Sequence, residues 1–475
     1  VTTAQPLDVQ PTPLALLLLG READPRSERG VECPGDLPSP SDPDLVERAR
    51  AAKEKLGDKV FVLGHHYQRD EVIQFADVTG DSFKLARDAA ARPEAEYIVF
   101  CGVHFMAESA DILTGDDQKV VLPDLAAGCS MADMATAEQV AECWDVLTEA
   151  GVADQVVPVS YMNSSADIKA FTGRHGGTIC TSSNAKRALE WAFEQGEKIL
   201  FLPDQHLGRN TAVRDMGLTL EDCVLYNPHK PNGGLTAEEL RDAKMILWRG
   251  HCSVHGRFSV ESVNDVRERI PGVNVLVHPE CKHEVVAAAD HVGSTEYIIK
   301  ALEAAPSGSK WAIGTELNLV RRLANRFAAE DKEIVFLDKT VCFCSTMNRI
   351  DLPHLVWTLE SLAEGNLVNR IQVDAETEKF AKLYKRQPRT GGVRARGEGP
   401  RCRCTASGAF LWELRAAVRP SRAQAPRRRL PPSPPGRSRR TSPRAWPPSS
   451  SRGAPCGARP SRRASAPGAG SAAWR

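Results

Sequence analysis

Three cysteines, Cys129, Cys252 and Cys344, each follow a short apolar run by a few residues: Val120-Val-Leu122, Ile246-Leu-Trp248 and Ile334-Val-Phe-Leu337. A helix-like segment comes after each of them, and separations of 123 and 92 residues give the pattern of a weak internal repeat. A cysteine in a loop just before a helix faces that helix's positive end, which favours the thiolate that binds metal. Structural zinc commonly takes four protein ligands, often in close pairs, whereas a cubane iron-sulfur cluster held by three cysteines leaves one iron open as a Lewis acid. Cys342 competes with Cys344 for the third place, and Cys101, Cys143, Cys180, Cys223 and Cys281 read as small buried hydrophobes.

A second set of residues suits anions. Asp81-Ser82, Thr181-Ser-Ser-Asn184 and Gly293-Ser-Thr295 each open a helical window. Such residues are ordinarily N-caps, but a helix N-terminus with free N–H groups also holds a carboxylate or phosphate. A third set, His65, Tyr67, Tyr161, His206, His278 and Glu280, could move protons in dehydration, enolisation or imine chemistry. The sequence lacks a GxxxxGK[ST] loop, an HExxH helix and a GxGxxG turn after the first strand, so nucleotide hydrolysis and ordinary dinucleotide binding lose support. His251-Cys252-Ser-Val-His255 hints at zinc but has no second close pair.

The elements that must position these groups are strands alternating with helices. Apolar runs at Lys59–Gly64, Tyr97–Phe100, Val120–Leu122, Val156–Val159, Ile199–Leu202, Met245–Trp248, Val273–Val277, Trp311–Ile313 and Ile334–Leu337 read as buried strands. Helical windows lie between them, as at 45–56, 185–195, 260–269, 294–304, 317–328 and 355–364, and predict parallel sheets covered on both faces. The polar residues collect just after these strands, at the end where open α/β sheets bind ligands.

Composition bounds the rest. The chain has 475 residues, 42% hydrophobic and 26% charged, with 13 cysteines, which argues for a soluble cytoplasmic metal or thiol enzyme rather than a disulfide framework. No apolar run reaches membrane-spanning length. The zero net charge hides an asymmetry: residues 386–475 hold 21 Arg, no Lys and only Glu398 and Glu413, a balance of +19, and the other residues set 40 basic against 59 acidic groups. That tail is also Pro-rich and cannot build a core. The expected division is a disordered arm (1–44), a first α/β domain (45–128 with 341–385), a second (129–244), a third (245–340) and a disordered Arg/Pro-rich tail (386–475).

Gly64-His-His-Tyr-Gln68, Gly80-Asp-Ser82, Phe105-Met-Ala-Glu108, Gly128-Cys-Ser130, Tyr161-Met-Asn163, Thr181-Ser-Ser-Asn184, Pro203-Asp-Gln-His-Leu-Gly208, Trp248-Arg-Gly-His-Cys252, His278-Pro-Glu280 and Cys344-Ser-Thr-Met347 together resemble the quinolinate synthase family. The resemblance spans roughly residues 45–375. It implies three pseudo-symmetric α/β/α sandwich domains with parallel sheets around a central [4Fe-4S] cluster, ligated by Cys129, Cys252 and Cys344. The implied reaction condenses iminoaspartate with dihydroxyacetone phosphate to quinolinate, phosphate and water in NAD biosynthesis, with the open iron as Lewis acid. Carried over by motif, His65, Tyr67, Tyr161, His278 and Glu280 line the active site, with Tyr67 and Glu280 as the proton shuttles. Ser82, Asn163, Ser182, Ser294 and Thr295 join His65, Tyr161, His278 and Glu280 as the substrate-binding set, and Met106 packs nearby. Functional coupling to an aspartate-oxidising enzyme is the implied partnership, with no membrane and no specific nucleic acid.

Two features depart from the family. His66 stands where some members have Asn, and the tail beyond residue 385 matches nothing in the family. Its Arg, Pro, Ala, Gly and Ser content reads as translation of a shifted frame in a GC-rich gene. The rival readings are a non-catalytic iron-sulfur or zinc sensor, and an arginine-rich arm making non-specific nucleic-acid contacts.

Overall fold

The run Val60-Phe-Val-Leu-Gly-His65 is buried at every position, so β1 (Val60–His65) needs cover on both faces, as a central parallel strand has. It lies between β2 (Val78–Gly80) and β3 (Tyr97–Cys101), both parallel to it, and β3 pairs in turn with β4 (Lys119–Val121). The second sheet contains β5 (Val156–Tyr161), β6 (Thr178–Cys180), β7 (Lys198–Leu202), β8 (Cys223–Tyr226) and β9 (Met245–Trp248), in the order β6-β5-β7-β9-β8. The third contains β10 (Asn274–Val277), β11 (His291–Val292), β12 (Lys310–Gly314) and β13 (Glu333–Phe336), in the order β11-β10-β12-β13. β14 (Arg370–Ile371) returns to the first sheet, antiparallel on β4. In each sheet the chain starts in one strand, adds its second on one side and its third on the other, which puts a crevice at the C-terminal ends of the first and third strands.

This computed structural model describes residues 37–339 and 343–383, all within one compact unit. The expectations for the arm before residue 37, for Cys342 and for the arginine-rich tail lie outside the described residues. The expected start of a third segment at residue 245 is corrected by the pairing: β9 hydrogen-bonds β7 and β8, so Met245–Trp248 belongs to the second sheet. An all-apolar strand fits either sheet equally well by composition, and only the register decides. No helix of the described residues is long and apolar enough to cross a membrane.

Helices α1 (Leu45–Leu56), α2 (Ser82–Ala90) and α3 (His104–Leu113) flank the first sheet. The second has α4 (Ala166–Arg174), α5 (Ala185–Phe193) and α6 (Gln205–Asn210), and the third has α7 (Thr295–Ala304) and α8 (Leu317–Phe327). Their starts are fixed by side chains. Asp81 accepts the Lys84 amide ahead of α2, Asp204 accepts those of His206 and Leu207 in α6, and Glu316 accepts those of Asn318 and Leu319 in α8. Large side chains such as Leu63, Ile98, Phe100, Leu85, Phe201 and Trp248 are fully buried between the layers. Each contributes roughly 1.5–3 kcal/mol by leaving water.

One glycine carries the packing toward the site. A Cβ on Gly250 would stand 2.2 Å from the Pro203 carbonyl oxygen, so the segment after β9 passes directly against the segment after β7. Gly250→Ala should therefore destabilise the fold by about 1–3 kcal/mol, the usual cost of overpacking, and lower the thermal midpoint. A midpoint equal to that of the parent chain would contradict this close approach.

Candidate active site

The strand ends of all three sheets open on one cavity of about 90 Å³. The first sheet contributes His65, Tyr67 and Ser82, with Met106 beside them. Tyr161, Asn163 and Ser182 come from the second sheet, and His278, Glu280, Ser294 and Thr295 from the third. Cys129, Cys252 and Cys344 line the same space. His206 does not line it and instead sits in the first turn of α6.

The three cysteines share a local structure. In each case the carbonyl accepts the amide four residues on: Asp133 to Cys129 at 3.0 Å, Gly256 to Cys252 at 2.9 Å and Asn348 to Cys344 at 3.0 Å. A short 3₁₀ turn begins three residues after each, at Ala132, His255 and Met347. Backbone N–H groups of those turns also reach back to each sulfur. One turn, used three times, thus aims three sulfurs. Trp248, fully buried, donates its indole N–H to the Met134 carbonyl (2.7 Å) and ties the strand before Cys252 to the turn after Cys129.

Burial pushes all three thiols above the ordinary thiol range, Cys129 and Cys252 well above it; Cys252 is pushed further by the Glu280 charge and by Cys129 and Cys344, and Cys129 by Cys344. At Cys344, hydrogen bonds from Thr346 and Met347 pull against burial. All three are free of disulfides. Three neighbouring sulfurs that oppose one another's ionisation, yet each accept backbone N–H groups, form a donor set that becomes anionic when a polycation sits among them. The residues therefore fit a soft, multiply charged metal centre.

The catalytic candidates form a chain of hydrogen bonds. Tyr161 donates to Glu280 Oε1 at 2.5 Å, and His255 Nδ1 lies 2.9 Å from Glu280 Oε2. His255 Nε2 is 3.1 Å from the Thr315 hydroxyl, which is 2.9 Å from the Tyr67 hydroxyl. Tyr67 also meets Thr295 at 2.9 Å. An ionised carboxylate only accepts, so Nδ1 of His255 carries a proton toward Glu280, while between its Nε2 and the Thr315 hydroxyl either atom can be the donor. Burial alone would raise the Glu280 carboxyl. The His255 and His278 imidazoles and the hydrogen bonds from His255 and Tyr161 outweigh it and hold Glu280 below the ordinary range. Burial and the Glu280 charge push both phenols, Tyr67 and Tyr161, above theirs.

His65 and His278 occupy matching places. In both, the amide two residues on donates to Nδ1, from Tyr67 at 3.2 Å and from Glu280 at 3.4 Å. Burial pushes each imidazole down to about 3, so both are neutral with the proton on Nε2. The three helix starts also match: Ser82 opens α2, Ser182 precedes α5, and Ser294 caps α7 by accepting the Tyr297 amide at 3.3 Å. Ser294 is therefore an N-cap and a cavity residue at once.

Sequence reasoning missed His255 and Thr315. In the sequence His255 reads only as part of the His251-Cys252-Ser-Val-His255 zinc hint, although its spacing from Cys252 repeats that of Ala132 from Cys129 and of Met347 from Cys344. Cys252, His255 and Glu280 do bring ligand atoms within 4.8 Å of one another. Both His255 nitrogens are engaged, however, and among the described residues the cysteine sulfurs that line the cavity are those of Cys129, Cys252 and Cys344.

Comparison with known proteins agrees in extent with this architecture. The family model described as quinolinate synthetase A protein matches residues 47–385. A protein of Streptomyces coelicolor named quinolinate synthase is 93% identical over 385 residues, covering 81% of this chain and 98% of the relative. Relatives of the same name from Nocardioides sp. and Corynebacterium glutamicum are 74% and 57% identical, covering 78% and 74% of this chain and 95% and 88% of their own lengths.

Glu316, the residue after Thr315, gives a pH test. Burial raises its carboxyl to about 7, against the pull of the Leu319, Asn318 and Cys344 amides. A carboxyl raised in the fold adds stability that is fully present below its unfolded value near 4.5 and is lost as pH rises through 7. The stability of the parent chain relative to Glu316→Gln should fall by about 3 kcal/mol between pH 4.5 and 8. A constant difference across that range, measured by denaturant titration, would refute the assignment.

Proposed function

The chain belongs to the quinolinate synthetase A family, and from that premise we propose that it condenses iminoaspartate with dihydroxyacetone phosphate to quinolinate, releasing phosphate and water. The observation that carries the reading is the convergence of Cys129, Cys252 and Cys344 on the cavity that also holds the Tyr161–Glu280 pair. We assign those cysteines as the ligands of a [4Fe-4S] cluster with one iron left for the substrate. When bound, the cluster supplies a Lewis acid that favours loss of hydroxide from carbon.

The chain's own residues do the rest. The N-termini of α2, α5 and α7 present N–H groups and the hydroxyls of Ser82, Ser182, Ser294 and Thr295 to the carboxylates and phosphate of the reactants. Asn163 adds an amide, and the neutral His65 and His278 rings act as hydrogen-bond donors through Nε2. Joining an imine or its enamine to a carbonyl, then expelling water, requires a proton to leave carbon or nitrogen and another to reach oxygen. Glu280, held ionised, accepts protons. Tyr161 at 2.5 Å from it and Tyr67, held between two threonine hydroxyls, donate them.

Support for the division of labour comes from the fold: each sheet provides one cysteine turn, one helix start and one loop with a proton-transfer or orienting residue. We further propose that the three lobes act as the domains of this enzyme, with cytoplasmic location and supply of iminoaspartate by an aspartate-oxidising enzyme. The match to the family model ends at residue 385, which supports the shifted-frame reading of the arginine-rich tail.

Anaerobically purified chain should contain close to four irons and four sulfides per molecule, the composition of one cubane. It should form quinolinate from the two substrates. Cys129→Ala, Cys252→Ala or Cys344→Ala should each abolish both cluster and product, and Cys101→Ala should spare both. Glu280→Gln should keep the cluster and lower kcat roughly 10²- to 10⁴-fold. Full cluster content in any of the three ligand variants, or undiminished turnover in Glu280→Gln, would overturn the assignment.

A further inference from the structure

Each loop that carries a proposed catalytic residue is gripped by a helix of a different sheet. Asn210 ends α6 of the second sheet and is 2% exposed. Its Nδ2 donates to the carbonyls of Pro279 and Cys281, both at 2.8 Å, on either side of Glu280 in the third sheet. Carbonyls only accept, so the amide's orientation is forced, and its Oδ1 accepts from His283 Nδ1 at 3.0 Å.

The third sheet grips the first in the same manner. Arg322 of α8 donates to the His66 carbonyl at 2.9 Å and to the Gln68 carbonyl at 2.6 Å, with its Nε on Asp70 at 2.6 Å. Asn318 of the same helix donates to the Tyr67 carbonyl at 3.1 Å. The first sheet grips the second. Glu108 of α3, 8% exposed, accepts the Ala166 amide at 2.9 Å, where the loop after Tyr161 enters α4. In all three cases the gripping helix follows the third strand of its sheet, and the gripped loop follows the first strand of the next.

We propose that Glu108, Asn210 and Arg322 are positioning residues that form a closed ring of clasps, first sheet to second, second to third and third to first. Each catalytic loop is then held in register by a neighbouring lobe as well as by the strand ends of its own sheet. The Phe105-Met-Ala-Glu108 segment, to which the reaction itself assigns no chemistry, acquires a purpose in this ring. Displacing a reacting group by about 1 Å costs on the order of 10²-fold in rate, so backbone clasps of this kind set turnover without touching substrate. The rate arm of the test rests on the quinolinate-forming reading, and the exchange arm does not.

The test is amide hydrogen exchange by mass spectrometry on the full chain with its cluster, alongside steady-state quinolinate formation. Asn210→Asp preserves size and removes both N–H donors, and Arg322→Gln removes the fork. Each should lower kcat about tenfold or more with iron and sulfide content unchanged. Exchange should quicken in residues 278–281 for Asn210→Asp and in 65–68 for Arg322→Gln, across the sheet boundary, with smaller change in the substituted helix. His283→Ala, which frees the Asn210 amide without altering it, should reproduce the 278–281 effect more weakly, and His283→Asn should restore it. Should Asn210→Asp fail to fold, the His283 pair decides. Exchange gains confined to the substituted helix, or no change in the neighbouring loop, overturn the proposal. A parent chain that forms no quinolinate defeats the functional reading and leaves the exchange result to judge the clasps.

Discussion

Three buried sulfurs that oppose one another's ionisation cannot share a cavity as thiolates unless positive charge lies among them. Much of the architecture answers that constraint. Each sulfur is aimed by the same turn, with a carbonyl bonded four residues on and amides directed back at sulfur. Each turn follows the strand that pairs with the third strand of its sheet, β4 on β3, β9 on β7 and β13 on β12, so convergence of the sulfurs requires the three sheets to present the same strand ends to one point. Among the described residues each lobe sends one cysteine sulfur to the cavity.

The proton-handling groups follow from the same convergence. Tyr67 leaves the first sheet but hydrogen-bonds Thr295 and Thr315 of the third, and Tyr161 leaves the second to bond Glu280, also of the third. His255 joins the two halves through Thr315. The charge on Glu280 is thereby neighboured by donors on both oxygens, while His65 and His278 stay neutral beside it. A low-dielectric pocket tolerates one fixed carboxylate when its lone pairs are satisfied, and that condition is met here by residues from separate lobes.

The long apolar strands were legible because a fully buried parallel strand has little choice but Val, Ile, Leu and Phe. The short edge strands were not. β2, β6 and β11 are two or three residues long and include Thr, Gly or His, and they owe their strand character to the neighbour they pair with rather than to composition. The cysteine repeat was legible from spacing, and the cavity gathers every site residue that the resemblance implied. His255, Thr315 and Asn210 escaped because their importance lies in partners 25, 60 and about 70 residues away. Nothing local distinguishes an N-terminal turn histidine, a strand-end threonine or a helix-end asparagine from its ordinary structural counterpart.

The central claim is that three sulfurs hold a cluster and leave one iron to the reactant. Mössbauer spectra of the ⁵⁷Fe-loaded chain, recorded with and without quinolinate, test it directly. The account predicts that a single iron of the four changes its isomer shift and quadrupole splitting when the dicarboxylate binds, with the other three unmoved. Four irons that all ignore the ligand, in a protein shown to have bound it, would contradict the account.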